Sequence, residues 1–460
     1  MKMPNSEQMS QEQKEIYMNA PLDGSILVTG PPGTGKTVIA FLRAQTINAF
    51  KKKAAVIMFG NVLARYTSNI ADGNYRVSNF HKWIDSWWNE IGLEEGFIPQ
   101  GNKKVYLPSA PYEDRECIKK LMKHSRGRGW DANHKMWFVW EDIYENNLDL
   151  LELWAKAKNS APKIEGDRFA HDWKKIRNLL IDADNEYKHK INWGHLLIDE
   201  GQDFSPQMYE SLDMIMKIVF DSSLPEESPA LTVFADDNQR LSETNSTIEQ
   251  IKNNIRLEQD RHFRLTTNYR NTKQIATLAS KFYVGLKGGI PQIPSIQGST
   301  PTLYSGNSFS DTISYIRLYA INHENEEIGV ITSTDTDRKK IFKELTKALE
   351  GRVTKVQSYA AKEQSSSAEN LIFDKGGFVT VINKASCKGL EFDSVFLVEL
   401  QNISNADSDR QQFNMDMYVM CSRARINLCL MLTNEGEGDL SILSYLPDKD
   451  SKLLEFQYAE

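Results

Sequence analysis

The sequence GPPGTGKT at residues 30–37 follows the apolar run 26–28 and precedes a stretch, 38–48, that we expect to be helical. A buried strand, a glycine-rich turn and a helix in this order aim backbone N–H groups and the positive end of the helix dipole at one point. The glycines let the main chain wrap closely around phosphate oxygens, while a lysine adds positive charge and a threonine hydroxyl can bind Mg²⁺. The pattern therefore predicts a nucleoside triphosphate site in a fold where parallel strands lead into helices.

Two side chains of this loop carry the chemistry. Lys36 would contact the β- and γ-phosphates, and Thr37 would be a magnesium ligand. The other loop residues that we assign to nucleotide binding are Gly30, Gly33, Thr34 and Gly35. An ordinary glycine turn is the alternative, but the bare pattern arises by chance in only about one in a hundred chains of this length.

Composition narrows the class of protein. The 460 residues suffice for about two to four domains with full cores, and the net charge of −7 argues against coating nucleic acid by bulk charge. No apolar run approaches the ~20 residues of a membrane span, and the start of the chain lacks an apolar signal region, so we expect a cytoplasmic protein. The four cysteines have neither C-x-x-C nor metal-ligand spacing, which favours reduced thiols.

Continuous apolar runs, which are typical of strands in parallel sheets covered on both faces, recur along the chain. They are residues 26–28, 54–59, 195–198, 231–234, 329–331, 378–382, 395–400 and 428–432. Helical stretches separate most of them, so we predict an α/β fold with functional sites at the carboxyl ends of the strands. The runs divide into two sheet groups, one before about residue 260 and one after it.

The first group is interrupted by a segment of different composition. All nine tryptophans lie within 83–193, and residues 86–185 are amphipathic and helical in pattern, above all at 141–158 and 171–187. We interpret 86–185 as a helical, tryptophan-rich insertion in the first sheet domain.

The insertion contains a basic stretch with few opposing acids. Its members are Arg115, Lys119, Lys120, Lys123, Arg126, Arg128 and Lys135. With Trp130 and Trp137 they could form a surface that tracks phosphates and stacks on bases. The alternative is that the tryptophans form the core of the insertion and the charges are merely solvated.

A pair of acids ends another apolar run, in the sequence LLIDEGQD at 196–203. An acid at the end of a buried strand can hold Mg²⁺ through water, and the next acid can orient and activate the attacking water. We assign Asp199 to the metal and Glu200 to the water. Two acids in an ordinary strand-end turn would be the alternative if the loop at 30–37 were absent.

Eight short motifs occur in a fixed order along the chain. They are MSQEQK at 9–14, MFGN at 58–61, VSNFH at 77–81, DEGQD at 199–203, FADDNQ at 234–239, LTTNYR at 265–270, KGLEF at 388–392 and YVMCSRAR at 418–425. Together they resemble the superfamily 1 helicases of the UvrD/Rep type over most of the chain. The resemblance implies two RecA-like P-loop NTPase motor domains, the first at 1–85 and 186–264 with the insertion between, and the second at 265–460.

The resemblance also assigns residues of both domains to one ATP molecule and its Mg²⁺. Those near the base and sugar are Gln13 as the adenine-reading amide, Tyr269 as the stacking ring, and Gly389 and Glu391 at the ribose. Those near the γ-phosphate are Lys36, Glu200, the sensor Gln239, and Arg270 and Arg423 as arginine fingers. Binding and hydrolysis should then close and relax the cleft between the domains, which would produce directional stepping.

Residues that the resemblance places at single-stranded DNA are Phe59, Asn61, Phe80 and His81. It thereby implies an ATP-dependent translocase or helicase that moves 3′ to 5′ on DNA. The residues themselves leave DNA and RNA both open.

Three departures from the family pattern support a second hypothesis. RLSETN at 240–245 lacks the aromatic pair that usually stacks on bases, and NKASC at 383–387 lacks the usual threonine and histidine. Only about 110 residues separate Arg270 from Val381, so we expect the large accessory insertion of the second domain to be absent or vestigial. The alternative is a nucleic-acid-stimulated ATPase switch that regulates a partner nuclease or effector, in DNA repair or anti-phage defence. A module that holds ATP without turnover is disfavoured, because Glu200, Gln239, Arg270 and Arg423 are all present.

Overall fold

The computed structural model describes residues 9–59, 64, 75–91, 104–107, 109–110, 115–122, 129–131, 136–140, 143–144, 146–147, 150–151, 154, 161–164, 167, 170–183, 188–220, 227–236, 245–285, 289–360, 371–373, 375–403, 409–434 and 441–459. Its strands are β1 (Ser25–Thr29), β2 (Ala54–Met58), β3 (Arg76–Asn79), β4 (Lys104–Tyr106), β5 (Trp130–Asp131), β6 (Met136–Trp140), β7 (His195–Ile198), β8 (Ala230–Ala235), β9 (His262–Arg264), β10 (Thr302–Gly306), β11 (Glu327–Thr332), β12 (Lys355–Tyr359), β13 (Phe378–Asn383), β14 (Phe392–Val398), β15 (Ala424–Thr433) and β16 (Glu455–Tyr458). Its α-helices are α1 (Gln11–Lys14), α2 (Lys36–Ala49), α3 (Phe80–Ile91), α4 (Arg115–Leu121), α5 (Trp173–Ile181), α6 (Lys188–Ile191), α7 (Pro206–Val219), α8 (Ile248–Asn254), α9 (Lys273–Ser280), α10 (Phe309–Asn322), α11 (Asp335–Ala348) and α12 (Arg410–Cys421).

Two large sheets, parallel at every pairing, form the framework. The first has the order β3-β2-β7-β8-β1-β9, and the second has the order β12-β13-β11-β14-β15-β10-β16. Parallel neighbours require crossover connections, and helices supply most of them. This architecture confirms the predicted α/β class and is consistent with two RecA-like domains.

The interiors of the two sheets share an apolar cluster. Val28 and Phe234 from the first sheet, Leu265 from the connecting segment, and Leu397 and Leu430 from the second sheet are all buried in it. Because the strand centres are apolar on both faces, polar side chains are displaced to the strand ends. This arrangement leaves the carboxyl ends of the strands as the place for chemistry.

Residues His81–Ile191 form a compact unit, and the described residues within 1–80 and 192–460, with both parallel sheets, form another. The first of these units contains a small antiparallel sheet of β4, β6 and β5. The expectation that residues 86–185 are helical is therefore wrong in part, since this unit contains both strands and helices such as α4 and α5. The sequence of β6, MWFVW, is aromatic and β-branched, and such residues favour a pleated strand over a helix. The compact unit is a geometrical division, so the boundaries at 86 and 185 stay a prediction.

Several tryptophans of this unit are core residues. Trp83, Trp87, Trp88 and Trp173 are each at most 6 % exposed, and the Trp83 and Trp87 rings stack 5.5 Å apart. Trp130 differs, since its side chain is 46 % exposed. The alternative interpretation of the tryptophans, as a core, thus holds for these four but not for Trp130.

Within the described part of the chain, no helix combines the length and the apolar character that crossing a membrane would require.

Candidate functional site

The glycine-rich loop at 30–37 connects β1 to α2 and is held by close packing. Gly33 and Gly35 have φ angles of +81° and +90°, which side-chain-bearing residues rarely adopt. A Cβ atom on Gly33 would lie 2.3 Å from Asn268 Oδ1, so a side chain has no room there. The loop can take this shape only with glycine at these positions, as the pattern predicted.

Lys36 and Thr37, at the start of α2, lie next to different acids. Lys36 Nζ donates to the Gly30 carbonyl at 2.5 Å and lies 4.0 Å from Asp236 Oδ2, with only 6 % of the side chain exposed. Thr37 Oγ1 donates to Asp199 Oδ2 at 2.7 Å. The two predicted magnesium ligands, Thr37 and Asp199, are therefore in direct contact. A hydroxyl and a carboxylate are hard oxygen ligands, so this pair fits Mg²⁺.

The acids after β7 lie in a constrained turn. Glu200 has a φ of +52°, in the left-handed region, and the 3₁₀ turn Gly201–Asp203 follows it. Gln202 fastens this turn, because its Nε2 donates to Glu200 Oε2 at 2.6 Å and its Oε1 accepts from the Asp236 amide at 2.9 Å. The neighbouring strand end thus fixes where the Glu200 carboxylate lies.

Asp199 and Glu200 differ in their acidity. Burial raises the pKa of Asp199, and the adjacent Glu200 charge raises it further. Burial also acts to raise the pKa of Glu200, but Lys388, Lys36, Gln202 and Arg423 outweigh it and hold that pKa below its usual value. Glu200 is consequently ionised at neutral pH, the state that an acceptor of a proton from water needs.

The segment 265–272 runs from β9 directly over the glycine-rich loop. Tyr269 N donates to the Gly33 carbonyl at 2.8 Å, and the Tyr269 side chain is 42 % exposed. Arg270 Nε donates to Glu391 Oε2 at 2.8 Å. The predicted stacking ring and one predicted arginine finger therefore lie beside the loop, with Glu391 as the partner of that arginine.

Glu391 is shared by two arginines. Besides Arg270, Arg425 Nη1 lies 3.5 Å from Glu391 Oε1. Burial raises the pKa of Glu391, but Arg270 and Arg425 more than offset it and hold the pKa low. Gly389, two residues earlier, has a φ of +75° and so gives the backbone a turn that favours glycine.

Arg423 has a different environment from Arg270. Its side chain is 1 % exposed, Nε donates to the Val419 carbonyl at 2.9 Å, and Nη1 donates to the Leu390 carbonyl at 3.2 Å. Burial lowers its pKa to about 10. Its charge still acts on Glu200. In this structure the guanidinium of Arg423, the second predicted arginine finger, is therefore hydrogen-bonded to nearby backbone carbonyls.

Gln13 contacts the loop by its amide. The nitrogen Nε2 donates to the Thr34 carbonyl at 3.0 Å, and Oε1 accepts from the Ser10 amide at 3.0 Å in a capping box at α1. Its neighbour Glu12, which the sequence did not single out, accepts from the Thr266 amide at 2.8 Å. Helix α1 thus links the glycine-rich loop to the segment that carries Tyr269 and Arg270.

The residues predicted at DNA are not all displayed in the same way. Phe59 is 49 % exposed and meets Phe204 edge-on at 5.7 Å, whereas Phe80 is only 4 % exposed and packs on the same Phe204 at 5.2 Å. His81, in the unit His81–Ile191, stacks on His171 at 5.5 Å. Burial lowers the pKa of His81, so it is neutral at pH 7. Of these described residues, Phe59 presents the most open ring.

Two site predictions, Gln239 and Asn61, lie outside the described residues. Two other contacts escaped sequence reasoning, namely the Gln202 bridge between strand ends and an ion pair between Asp203 and Lys388. The E-x-Q spacing at Glu200 was a usable signal for the first. No local sequence pattern predicts the ion pair, because its two residues are far apart along the chain.

No family model and no curated protein sequence matches this chain. Among the solved structures that match is the C-terminal domain of a possible DNA helicase from Lactobacillus plantarum WCFS1, at 20% sequence identity and a TM-score of 0.28. The match covers 42% of this chain and 100% of that chain. A likeness at this TM-score carries no argument about function.

Proposed function

We propose that this protein is an ATP- and Mg²⁺-dependent translocase or helicase on single-stranded DNA, moving 3′ to 5′ as its sequence resemblance implies. The observation that carries the proposal is the meeting of two sets of residues at one loop. Lys36 and Thr37 begin α2, and Glu200 follows β7 of the first sheet. Arg270, in the segment after β9, lies at Gly33 and pairs with Glu391, next to β14 of the second sheet. A nucleotide held by both sets would couple the two sheets.

The roles of the residues follow from their surroundings. Thr37 and Asp199 would hold Mg²⁺, which would neutralise phosphate charge as it develops. Within the described residues no group of three or more His, Cys, Asp or Glu side chains could hold a metal, so the remaining ligands would come from phosphate and water. Lys36 would exchange its carbonyl partners for phosphate oxygens, and Glu200 would accept a proton from the attacking water.

A second candidate function has its own support. The chain lacks an aromatic pair at 240–245, and Phe80 is buried against Phe204 rather than displayed. Stacking platforms are therefore sparse among the described residues predicted at DNA, while the side chains predicted to bind the nucleotide are all present in the sequence. This favours a nucleic-acid-stimulated ATPase switch that regulates a partner nuclease or effector, with little unwinding of its own.

Steady-state ATP hydrolysis, measured without nucleic acid and with single-stranded DNA or RNA, tests the proposal when duplex unwinding is followed in parallel. The motor hypothesis expects stimulated hydrolysis together with unwinding or strand displacement. Stimulated hydrolysis without either would select the switch. A chain that hydrolyses no ATP under any of these conditions would contradict both.

Replacing Lys36 with alanine should weaken ATP binding. A charged hydrogen bond contributes about 1.5–3 kcal/mol, so the dissociation constant should rise by roughly 10- to 150-fold. Titration of a fluorescent ATP analogue would measure it. Lys217→Ala is the matched control, since Lys217 is a half-exposed lysine on α7 that pairs with Asp213. If the two variants bound the ATP analogue with equal affinity, Lys36 would not be a nucleotide-binding residue.

The basic stretch of the unit His81–Ile191 should contribute to strand binding. Lys119 and Lys120 lie on α4, with Lys119 paired to Glu116 at 2.7 Å, whereas Lys123, Arg126, Arg128 and Lys135 lie outside the described residues. Alanine at Lys119, Lys120, Lys123, Arg126 and Arg128 should weaken single-strand binding and reduce the log–log salt slope by about 0.7 for each lost phosphate contact. Basal ATPase should persist.

Binding titrations at several salt concentrations provide the measurement for this variant. Lys174→Ala with Lys175→Ala on α5 is the control, because these exposed lysines belong to the same unit but to another helix. An unchanged slope in the five-residue variant, with failed assembly with a partner, would instead identify the stretch as a protein-binding platform.

A further inference from the structure

A largely buried ion pair joins the two sheets next to the Glu200 turn. Lys388 Nζ lies 2.5 Å from Asp203 Oδ1, and the two side chains are only 8 % and 12 % exposed. Asp203 ends the 3₁₀ turn Gly201–Asp203 that follows β7 of the first sheet. Lys388 lies between β13 and β14 of the second sheet. The pair therefore crosses from one sheet to the other.

Such a pair is not an efficient way to stabilise a fold. Removing two charges from water is unfavourable, and a buried pair often recovers little more than that penalty. Burial raises the pKa of Asp203 to about 6 even though Lys388 acts to lower it. Both residues lie in turns rather than in the core of either sheet. A role in setting the geometry between the sheets explains the pair better than a contribution to folding.

The Glu200 turn is held from two sides. The turn that carries Glu200 is fastened on the first-sheet side by Gln202 and the Asp236 amide. On the second-sheet side the same turn is held by the ion pair between Asp203 and Lys388.

We propose that Lys388 is a positioning residue that fixes the Glu200 turn against the second sheet by its ion pair with Asp203. This inference rests on the proposed ATPase function. Glu200 then has its working position only while the second sheet is close enough for Lys388 to reach Asp203. Lys388 thereby makes turnover depend on closure of the two sheets, without itself contacting the nucleotide.

The variants Lys388→Met, Lys388→Arg and the charge exchange of Lys388→Asp with Asp203→Lys test this. Small displacements of a catalytic group reduce rates by up to ~10²-fold, so Lys388→Met should lower kcat by about 10- to 100-fold while KM for ATP changes little. Lys388→Arg and the charge exchange should each recover part of that loss, whereas Lys388→Asp alone should not. Melting temperatures would verify that each variant is folded.

Lys384→Met is the matched control. Lys384 lies four residues before Lys388 and pairs with Asp416 on α12, so both members of this pair belong to the second-sheet side. It should keep wild-type turnover. An active wild-type protein whose Lys388→Met variant keeps its kcat, or loses only ATP affinity, would overturn the inference and leave the proposed function standing. A wild-type chain that hydrolyses no ATP would contradict the proposed function and this inference with it.

Discussion

Replacing Glu200 with glutamine is expected to lower ATP turnover by ~10²–10⁴-fold while ATP binding stays near wild type. The amide has the shape of the carboxylate and can keep a hydrogen bond with Gln202, but it cannot accept a proton from the attacking water. Because Glu200 acts on the water and not on the phosphates, its loss should appear in kcat. Turnover at saturating ATP and nucleic acid, with analogue binding in parallel, gives the measurement.

The second sheet supplies a closely matched control, Glu399→Gln. Glu399 follows β14, has a φ of +53°, and accepts from Gln401 Nε2 at 2.9 Å. Gln401 Oε1 in turn accepts from the Thr433 amide at 3.1 Å, at the end of the neighbouring strand β15. The Glu200 turn is built in the same way, with Gln202 bonded to the Asp236 amide.

The two glutamates therefore lie in turns of the same kind, each with a glutamine partner that is bonded to a neighbouring strand end. Only Glu200 lies beside the glycine-rich loop. Both variants should disturb local structure to a similar extent. Glu399→Gln should keep its turnover. A Glu200→Gln variant with more than half of the wild-type rate, or an equal loss in Glu399→Gln, would remove the water-activating role from Glu200.

Replacing Arg270 with alanine is expected to reduce turnover by ~10³–10⁵-fold, the range in which an arginine finger contributes. The stem of Arg270 lies against the loop, since a Cβ on Gly33 would be 3.2 Å from Arg270 Cβ. Its guanidinium is held at Glu391, and in the proposed function it would act on the γ-phosphate from there. Single-turnover hydrolysis with excess enzyme would separate this loss from any loss of ATP affinity.

Arg425→Ala is the control for this variant, because Arg425 also pairs with Glu391 but has Asp393 as its closer partner, at 2.8 Å. If the loss in Arg270→Ala came only from releasing Glu391, Arg425→Ala would share it. We expect Arg425→Ala to keep most of its turnover. Arg423 is less suitable for such a test, since its guanidinium binds the carbonyls of Val419 and Leu390 and its removal would also disturb packing.

Most interior strands of both sheets were predictable, and the edge strands were not. The apolar run at 195–198 is β7 itself, and 231–234 and 378–382 lie within β8 and β13. The four edge strands β3, β9, β12 and β16 were missed. The interior strand β10 was missed as well, because its sequence TLYSG has no continuous apolar run. An edge strand is covered on fewer sides and keeps polar residues such as those of KVQSY in β12, so it has no continuous apolar run.

The end of a strand was also predicted inaccurately, because apolar residues continue beyond it. The run at 395–400 was expected to be one strand, but β14 ends at Val398 and residues 400–402 form a 3₁₀ turn. Leu400 is 2 % exposed in that turn, so the apolar pattern continues past the end of the strand. Burial and strand conformation are separate properties, and the sequence pattern reports the first.

By itself, the sequence determined the features that depend on neighbours along the chain. Gly33 and Gly35 allow a tight loop before α2, and an apolar strand places Asp199 and Glu200 at its carboxyl end, because backbone freedom and burial follow from local residue types. Only the tertiary structure decided that Lys388 meets Asp203, that Phe80 is buried, and that Arg423 binds the carbonyls of Val419 and Leu390. Those contacts depend on strand order and on how side chains pack, and residues nearly two hundred positions apart carry no local signal of their meeting.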